Sequence, residues 1–156
     1  LKSNKKNAPP SRLDAHLGFW LRFVSNQVSA RFQSVVEEEE CSVTEWVALR
    51  VLFDQAATSH NTLIEALGMT KGATSKVISR LEARGLVKRV LAEGSNREQL
   101  IMLTLTGKKL VPRLAALADE NDAYFFKVLS QAERSAFTTA LKKLVEVHNL
   151  PGPPIN

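Results

Sequence analysis

Between His60 and Gly107 the sequence leaves the backbone few options: two short helices around a tight turn, then a two-stranded hairpin with a charged tip. Leu63, Ile64 and Leu67 mark the first short helix, and Gly68 stands where a left-handed residue is needed to end it. Thr70 is placed to cap the next one. There Thr74, Val77, Ile78 and Leu81 recur at helical spacing on one face, while Lys71, Ser75, Lys76, Ser79 and Arg80 occupy the other. One face packs and the other is left for a polyanion. Gly85 supplies the stop, residues 86–91 are β-prone, and a turn at 93–96 folds the chain back into residues 99–104.

That outline is a winged helix-turn-helix, and charge locates its binding surface. Residues 60–113 hold ten Lys or Arg against four acids, an excess of six, whereas the whole chain is only +5. The positive charge therefore sits in this segment, as expected when one lobe faces phosphate and the other faces protein. Candidate DNA contacts are Thr70, Lys71, Ser75, Lys76, Ser79 and Arg80 from the second short helix, with Lys88, Arg89 and Arg97 from the hairpin. Lys76 is placed to reach base edges in the major groove, and Arg97, at the wing tip, to enter the minor groove.

Around this segment the apolar residues describe longer helices. Ser11 and Asp14 resemble a cap, after which Leu13, Leu17, Leu21, Val24, Val28, Phe32 and Val35 recur every three or four residues. A stripe of about six turns is longer than a small core needs, so part of it is expected to cover a second copy of the chain. The Glu37–Glu40 run reads as a solvated helix end prone to fraying, because carboxylates there oppose the helix dipole. Ser42 and Glu45 form a capping box ahead of Trp46, Leu49, Leu52 and Phe53. Thr104 caps a long helix with Leu110, Leu114, Leu117, Phe125 and Val128 inside, and Pro112 should kink it. Ser130 and Glu133 box a last helix carrying Phe137, Leu141, Leu144 and Val147.

The expected fold class is mainly α (α+β): a winged helix-turn-helix lobe at about 42–105, plus a helical dimerisation lobe from about 11–38 and 106–149, within one domain at 11–150. At this length a single domain buries roughly 68–70% of its unfolded surface and needs no staples. Residues 1–10 and 151–156 read as disordered tails, rich in Lys or Pro. One cysteine, Cys41, excludes an intramolecular disulfide framework. With no apolar run near the ~18 residues of a membrane span, the chain reads as soluble and cytoplasmic, with no membrane partner.

Catalysis needs converging groups, and His16, His60 and His148 lie far apart, none with a second His or Cys at ligand spacing. No phosphate-binding Gly-rich loop occurs. The chain is therefore read as a non-enzyme without cofactor or metal. A site from His16, Glu40 and Cys41 is disfavoured, as is redox sensing by Cys41, whose acidic neighbours Glu37–Glu40 would raise its pKa. The rival reading is a helical protein-interaction module with an electropositive surface, which accounts for the long apolar stripes but not for the basic segment.

The order of elements resembles the MarR family of bacterial regulators over roughly residues 12–150. The match is carried by Ala66-Leu67-Gly68-Met69-Thr70, by the run from Ser75 to Val87 with its Leu-Glu-Ala-Arg-Gly-Leu-Val join, and by Leu103-Thr104 with Gly107. One departure stands out: the family's wing carries Asp-x-Arg, whereas this chain has Ser95-Asn96-Arg97, which keeps the Arg but braces it with a hydroxyl. The resemblance implies a homodimer with first and last helices intertwined, binding a pseudo-palindromic double-stranded operator and usually repressing. It also implies a small aromatic or phenolic effector held between the first, second and fifth helices, for which His16, Trp20, Trp46, Arg50 and Phe53 are candidates. Arg50 would pair the effector's carboxylate; the alternative is that the aromatics are core and Arg50 forms an ordinary ion pair.

Overall fold

A computed structural model describes residues 9–94 and 98–150. Residues 1–8 of the expected tail at 1–10, the tail at 151–156 and the wing tip, Ser95 to Arg97, lie outside the described residues, while Pro9 and Pro10 are exposed and without regular structure. Among the described residues, six α-helices and three short strands follow in the order α1 (Leu17–Glu37), α2 (Val43–Phe53), β1 (Thr58–Ser59), α3 (His60–Leu67), α4 (Lys71–Ala83), β2 (Val87–Leu91), β3 (Gln99–Leu103), α5 (Leu105–Phe126) and α6 (Gln131–Val147). The class is thus mainly helical with a small antiparallel sheet, as the sequence predicts.

Local chemistry accounts for most boundaries. Both predicted capping boxes form: the Ser42 hydroxyl accepts the Glu45 N–H while Glu45 accepts the Ser42 N–H, and Ser130 with Glu133 does the same. The Ser130 amide and hydroxyl donate to Glu133 and hold its carboxyl below the usual range. Thr70 and Thr104 cap α4 and α5 through the N–H groups of Ala73 and Gly107. Gly68 ends α3 with φ 60°, a conformation that costs a residue with a Cβ.

The start of the first helix differs from expectation. Residues 13–15 form a separate 3₁₀ turn, His16 is extended, and α1 begins only at Leu17. Arg12 clasps the Asp14 carboxylate with two contacts of 3.1 Å, which occupies the acid that would otherwise serve a longer helix. The Trp20 indole then donates to the Asp14 carbonyl at 2.8 Å and folds the turn onto α1. At the other end α1 stops at Glu37 and the acidic run forms a mostly exposed turn, the solvated helix end that the sequence predicts. Glu40 adopts φ 55°, the Cys41 N–H bonds back to the Val36 carbonyl, and Arg113 of α5 pairs with Glu39 at 2.6 Å.

The core gathers Val36, Ala48, Leu49, Leu52, Leu63, Val77, Ile78, Leu81, Ile101 and Leu114, all at most 2% exposed. The predicted inner face of α4 is buried in full, including Thr74, whose hydroxyl has no partner among the described residues. On α5, Leu114 is buried as expected, joined by Val111, while Val128 lies beyond the helix and is exposed. The helix runs unbroken through Pro112; Lys108 and Pro112 are both exposed, so water can take up the carbonyl that proline leaves unpaired.

The sheet has the order β1-β3-β2. β2 and β3 pair as predicted, with Val87 opposite Leu103 and Leu91 opposite Gln99. β1 was not foreseen; it sets Thr58 against Ile101 and Ser59 against Leu100 and so ties the entry of α3 to the wing.

Thr104 and Gly107 join the wing to α5. The Thr104 N–H reaches the Leu86 carbonyl at 3.0 Å, and its hydroxyl donates to the Gly85 carbonyl at 2.6 Å. Gly107 lies so close that a Cβ there would be 2.1 Å from the Leu86 oxygen. The Leu-Thr-x-x-Gly pattern is thereby explained as a cap and a close approach.

Among the described residues no helix is long and apolar enough to cross a membrane. In the single chain α6 buries no residue, and Phe137, Leu144 and Val147 remain exposed. The first turns of α1 are similarly bare, with Leu17 87% and Phe23 54% exposed.

Candidate nucleic-acid interface

The outer face of α4 is built by its own amphipathicity. Four buried side chains turn one face inward, and Lys71, Lys76, Ser79 and Arg80 are left exposed on the opposite side. Met69, Ala73, Ser75, Lys76, Ser79 and Arg80 line a shallow concavity there. Thr70 stands at its edge, its hydroxyl committed to the helix cap.

The predicted polar residues divide by what they already touch. Ser75 is half-buried and its hydroxyl bonds His60 Nε2 at 3.1 Å, a contact between α4 and the start of α3. Arg89 of β2 reaches back to α4, pairing with Glu82 and donating to the Ser79 hydroxyl at 3.3 Å. Arg80 faces Glu45 of α2 at 3.8 Å. Lys71, Lys76 and Lys88 have no partner among the described residues, so they can meet an outside anion without first giving up a contact. Lys88 is exposed on β2, opposite Met102. Arg97 lies outside the described residues.

His60 and Glu45 were not singled out as interface residues. Each lies on a neighbouring helix and reaches α4 across a gap of 15 or more positions in sequence, where no periodicity signals the contact.

The candidate effector residues fall on two elements. His16 and Trp20 lie at the exposed start of α1, where Phe19 and Trp20 meet edge to face at 5.4 Å. Trp46, Arg50 and Phe53 lie on α2, with Trp46 packed against the core and Phe53 exposed. Arg50 forms a surface pair with Asp54 at 2.5 Å and lies 5.9 Å from the Phe53 ring, the arrangement of the ordinary ion-pair alternative.

Cys41, in the loop between α1 and α2, is a buried thiol at 2% exposure. Burial, then the nearby Glu45 carboxylate, pushes it up to about 11, against the opposing effect of Arg84. The cause is thus burial and Glu45, not the Glu37–Glu40 run. With an ordinary thiol pKa near ~8.5, alkylation by iodoacetamide at pH 8 is expected to be at least about 100-fold slower in the native protein than in urea. A native rate within tenfold of the unfolded rate would show an accessible, activated thiol. His16 precedes α1 and Cys41 follows it, so about 30 Å of helix separates them. Among the described residues no three His, Cys, Asp or Glu side chains group to hold a metal ion.

With this geometry in place, comparison with known proteins gives a consistent picture. The family model of the MarR family matches residues 42–98, from the cap of α2 to the edge of the wing. The transcriptional regulator HosA of Escherichia coli O157:H7 is 28% identical over 125 residues, covering 80% of this chain and 91% of HosA. Among solved structures, BpsR of Bordetella bronchiseptica, in a study of the regulation of its DNA binding by 6-hydroxynicotinic acid, is 28% identical with a TM-score of 0.75, covering 87% of this chain and 97% of BpsR. CouR of Rhodococcus jostii RHA1, bound to p-coumaroyl-CoA, shares the fold with a TM-score of 0.77 at 20% identity, covering 92% and 98%. Family model, relatives and fold agree with the basic face of α4 and the Thr104–Gly107 joint: over residues 42–98 the chain resembles the MarR family, and over most of its length it is similar to known winged helix-turn-helix transcriptional regulators.

Proposed function

We propose that the chain works as a homodimer that binds a pseudo-palindromic operator, with α4 in the major groove and the wing, through Arg97, in the minor groove, and that it represses from that site. The observation that carries this reading is the outer face of α4, where Lys71 and Lys76 stand exposed and unpaired among the described residues. The bare apolar faces of α1 and α6 support the dimer, since nothing among the described residues covers them. On this reading residues 42–105 form the DNA-binding lobe and 11–38 with 106–149 the dimerisation helices. The protein then acts where the DNA is, in the bacterial cytoplasm.

A small aromatic anion is the proposed effector, releasing the operator on binding near His16, Trp20, Trp46, Arg50 and Phe53. Support comes from BpsR, whose DNA binding is regulated by 6-hydroxynicotinic acid, and from CouR with its p-coumaroyl-CoA. To take up a carboxylate, Arg50 would have to exchange its pair with Asp54.

Selection from random duplexes tests the reading. An inverted repeat is expected, with half-sites about one helical turn apart, roughly 34–36 Å, bound by a species that light scattering shows to be a dimer. With about 6–10 phosphate contacts, affinity should fall some 10³–10⁵-fold between 50 and 200 mM salt. No enriched motif, a monomer at micromolar concentration, or a log–log slope below about two would favour the interaction-module reading.

A further inference from the structure

Two cations of α4 are engaged by the protein itself. Glu45, in the first turn of α2, is 6% exposed, and its Oε2 accepts the Ser42 N–H at 2.9 Å. The same carboxylate faces Arg84 at 3.5 Å and Arg80 at 3.8 Å. A buried carboxylate keeps its charge only when donors and cations compensate it. The capping amide supplies one donor, and two arginines spaced i, i+4 at the end of α4 supply the rest. The apolar inner face of α4 fixes how deeply the helix packs but is only weakly directional; contacts to a charged group locked in a capping box also fix its rotation.

On the reading of α4 as the recognition helix, we propose that Glu45 is a positioning residue for DNA recognition. Through Arg80 and Arg84 it sets the rotation of α4 that aims Lys76 at base edges, and it keeps both guanidinium groups off the phosphates. The last turn of α4 is then an anchor, and sequence reading is concentrated in its first two turns.

Glu45→Gln retains an oxygen for the Ser42 N–H and removes the charge. Titrated against the selected operator and a scrambled duplex at several salt concentrations, it is expected to lose about tenfold in the ratio of the two affinities. Its log–log salt slope on scrambled DNA should steepen by about two to four for the dimer, since each phosphate newly contacted by a freed arginine adds about 0.9. Arg84→Gln should lower the affinity ratio similarly while leaving the slope unchanged. A ratio and slope equal to wild type in Glu45→Gln, whatever its melting temperature, would overturn the proposal, because a merely structural role moves only stability. A shallower slope in Arg84→Gln would also overturn it by making Arg84 a phosphate contact, and this arm decides alone if Glu45→Gln does not fold. Wild-type protein that bound neither duplex would overturn the reading of α4 itself, and the proposal with it, a failure that the wild-type arm tells apart.

Discussion

Replacing Gly107 by alanine is expected to destabilise the protein by about 2–3 kcal/mol, the upper part of the range for overpacking a tight site. The added Cβ would lie 2.1 Å from the Leu86 oxygen and 3.1 Å from both the Leu86 carbonyl carbon and a Leu103 methyl. The obstacle is backbone and cannot rotate away. Nor can it drift freely, because the Leu86 carbonyl also accepts the Thr104 N–H at 3.0 Å. Alanine's better helix propensity returns only about 1 kcal/mol, so the clash decides the sign. At this size each kcal/mol lowers Tm by roughly 2–4 °C, which predicts a fall of about 4–12 °C in a thermal melt. Gly72→Ala is the control: it is helical, with nothing within 4 Å of the new Cβ, and should be neutral or stabilising. If Gly107→Ala melted within about 1 °C of wild type, the joint between wing and α5 would be looser than described.

That joint also shows how far the sequence could be read. Gly107 was legible as part of a pattern, but its reason is a contact with Leu86, 21 positions away, which spacing alone does not reveal. Capping boxes and the apolar face of α4 were legible because their causes are local: a hydroxyl three residues from a carboxylate, or a 3.6-residue period. β1 was not, since two residues carry no alternation and Thr58–Ser59 is a strand only through its pairing with β3. The early start assigned to the first helix failed for a related reason. Ser11 and Asp14 have the spacing of a cap, yet Arg12 takes the Asp14 carboxylate and Trp20 its carbonyl.

The candidate site divides along the same line. Which residues of α4 face outward follows from periodicity: Lys71, Lys76, Ser79 and Arg80 are exposed as the sequence predicts, while Ser75 is half-buried. Which of them are already engaged depends on His60, Glu45, Glu82 and Arg89, on other elements or on the far turn of α4. Those partners separate Lys71 and Lys76 from Ser75, Ser79 and Arg80. The apolar stripes of α1 and α6 were legible too, but nothing among the described residues covers the start of α1 or the outer face of α6.

Lys76→Ala is expected to remove most of the sequence discrimination while leaving non-specific binding nearly intact. Lys76 lies in the second turn of α4, exposed and without a partner among the described residues. Its polar neighbours are held: Ser75 by His60, Ser79 by Arg89 and Arg80 by Glu45. Lys71, also unpaired, is the first residue of the helix, where phosphate contacts to the helix N-terminus are favoured. The discriminating contact therefore falls to Lys76, whose ammonium can donate to the O6 and N7 acceptors of a guanine. One such contact is worth about 1–3 kcal/mol of discrimination, so a dimer reading two half-sites stands to lose about 2–6 kcal/mol against its operator. On scrambled DNA the same substitution costs at most one phosphate contact per subunit, a change of about 0.9 per contact in the salt slope. Anisotropy titrations of both duplexes at several salt concentrations separate the two effects. An unchanged ratio of operator to scrambled affinity would mean that Lys76 does not read bases and that α4 enters the groove by another face.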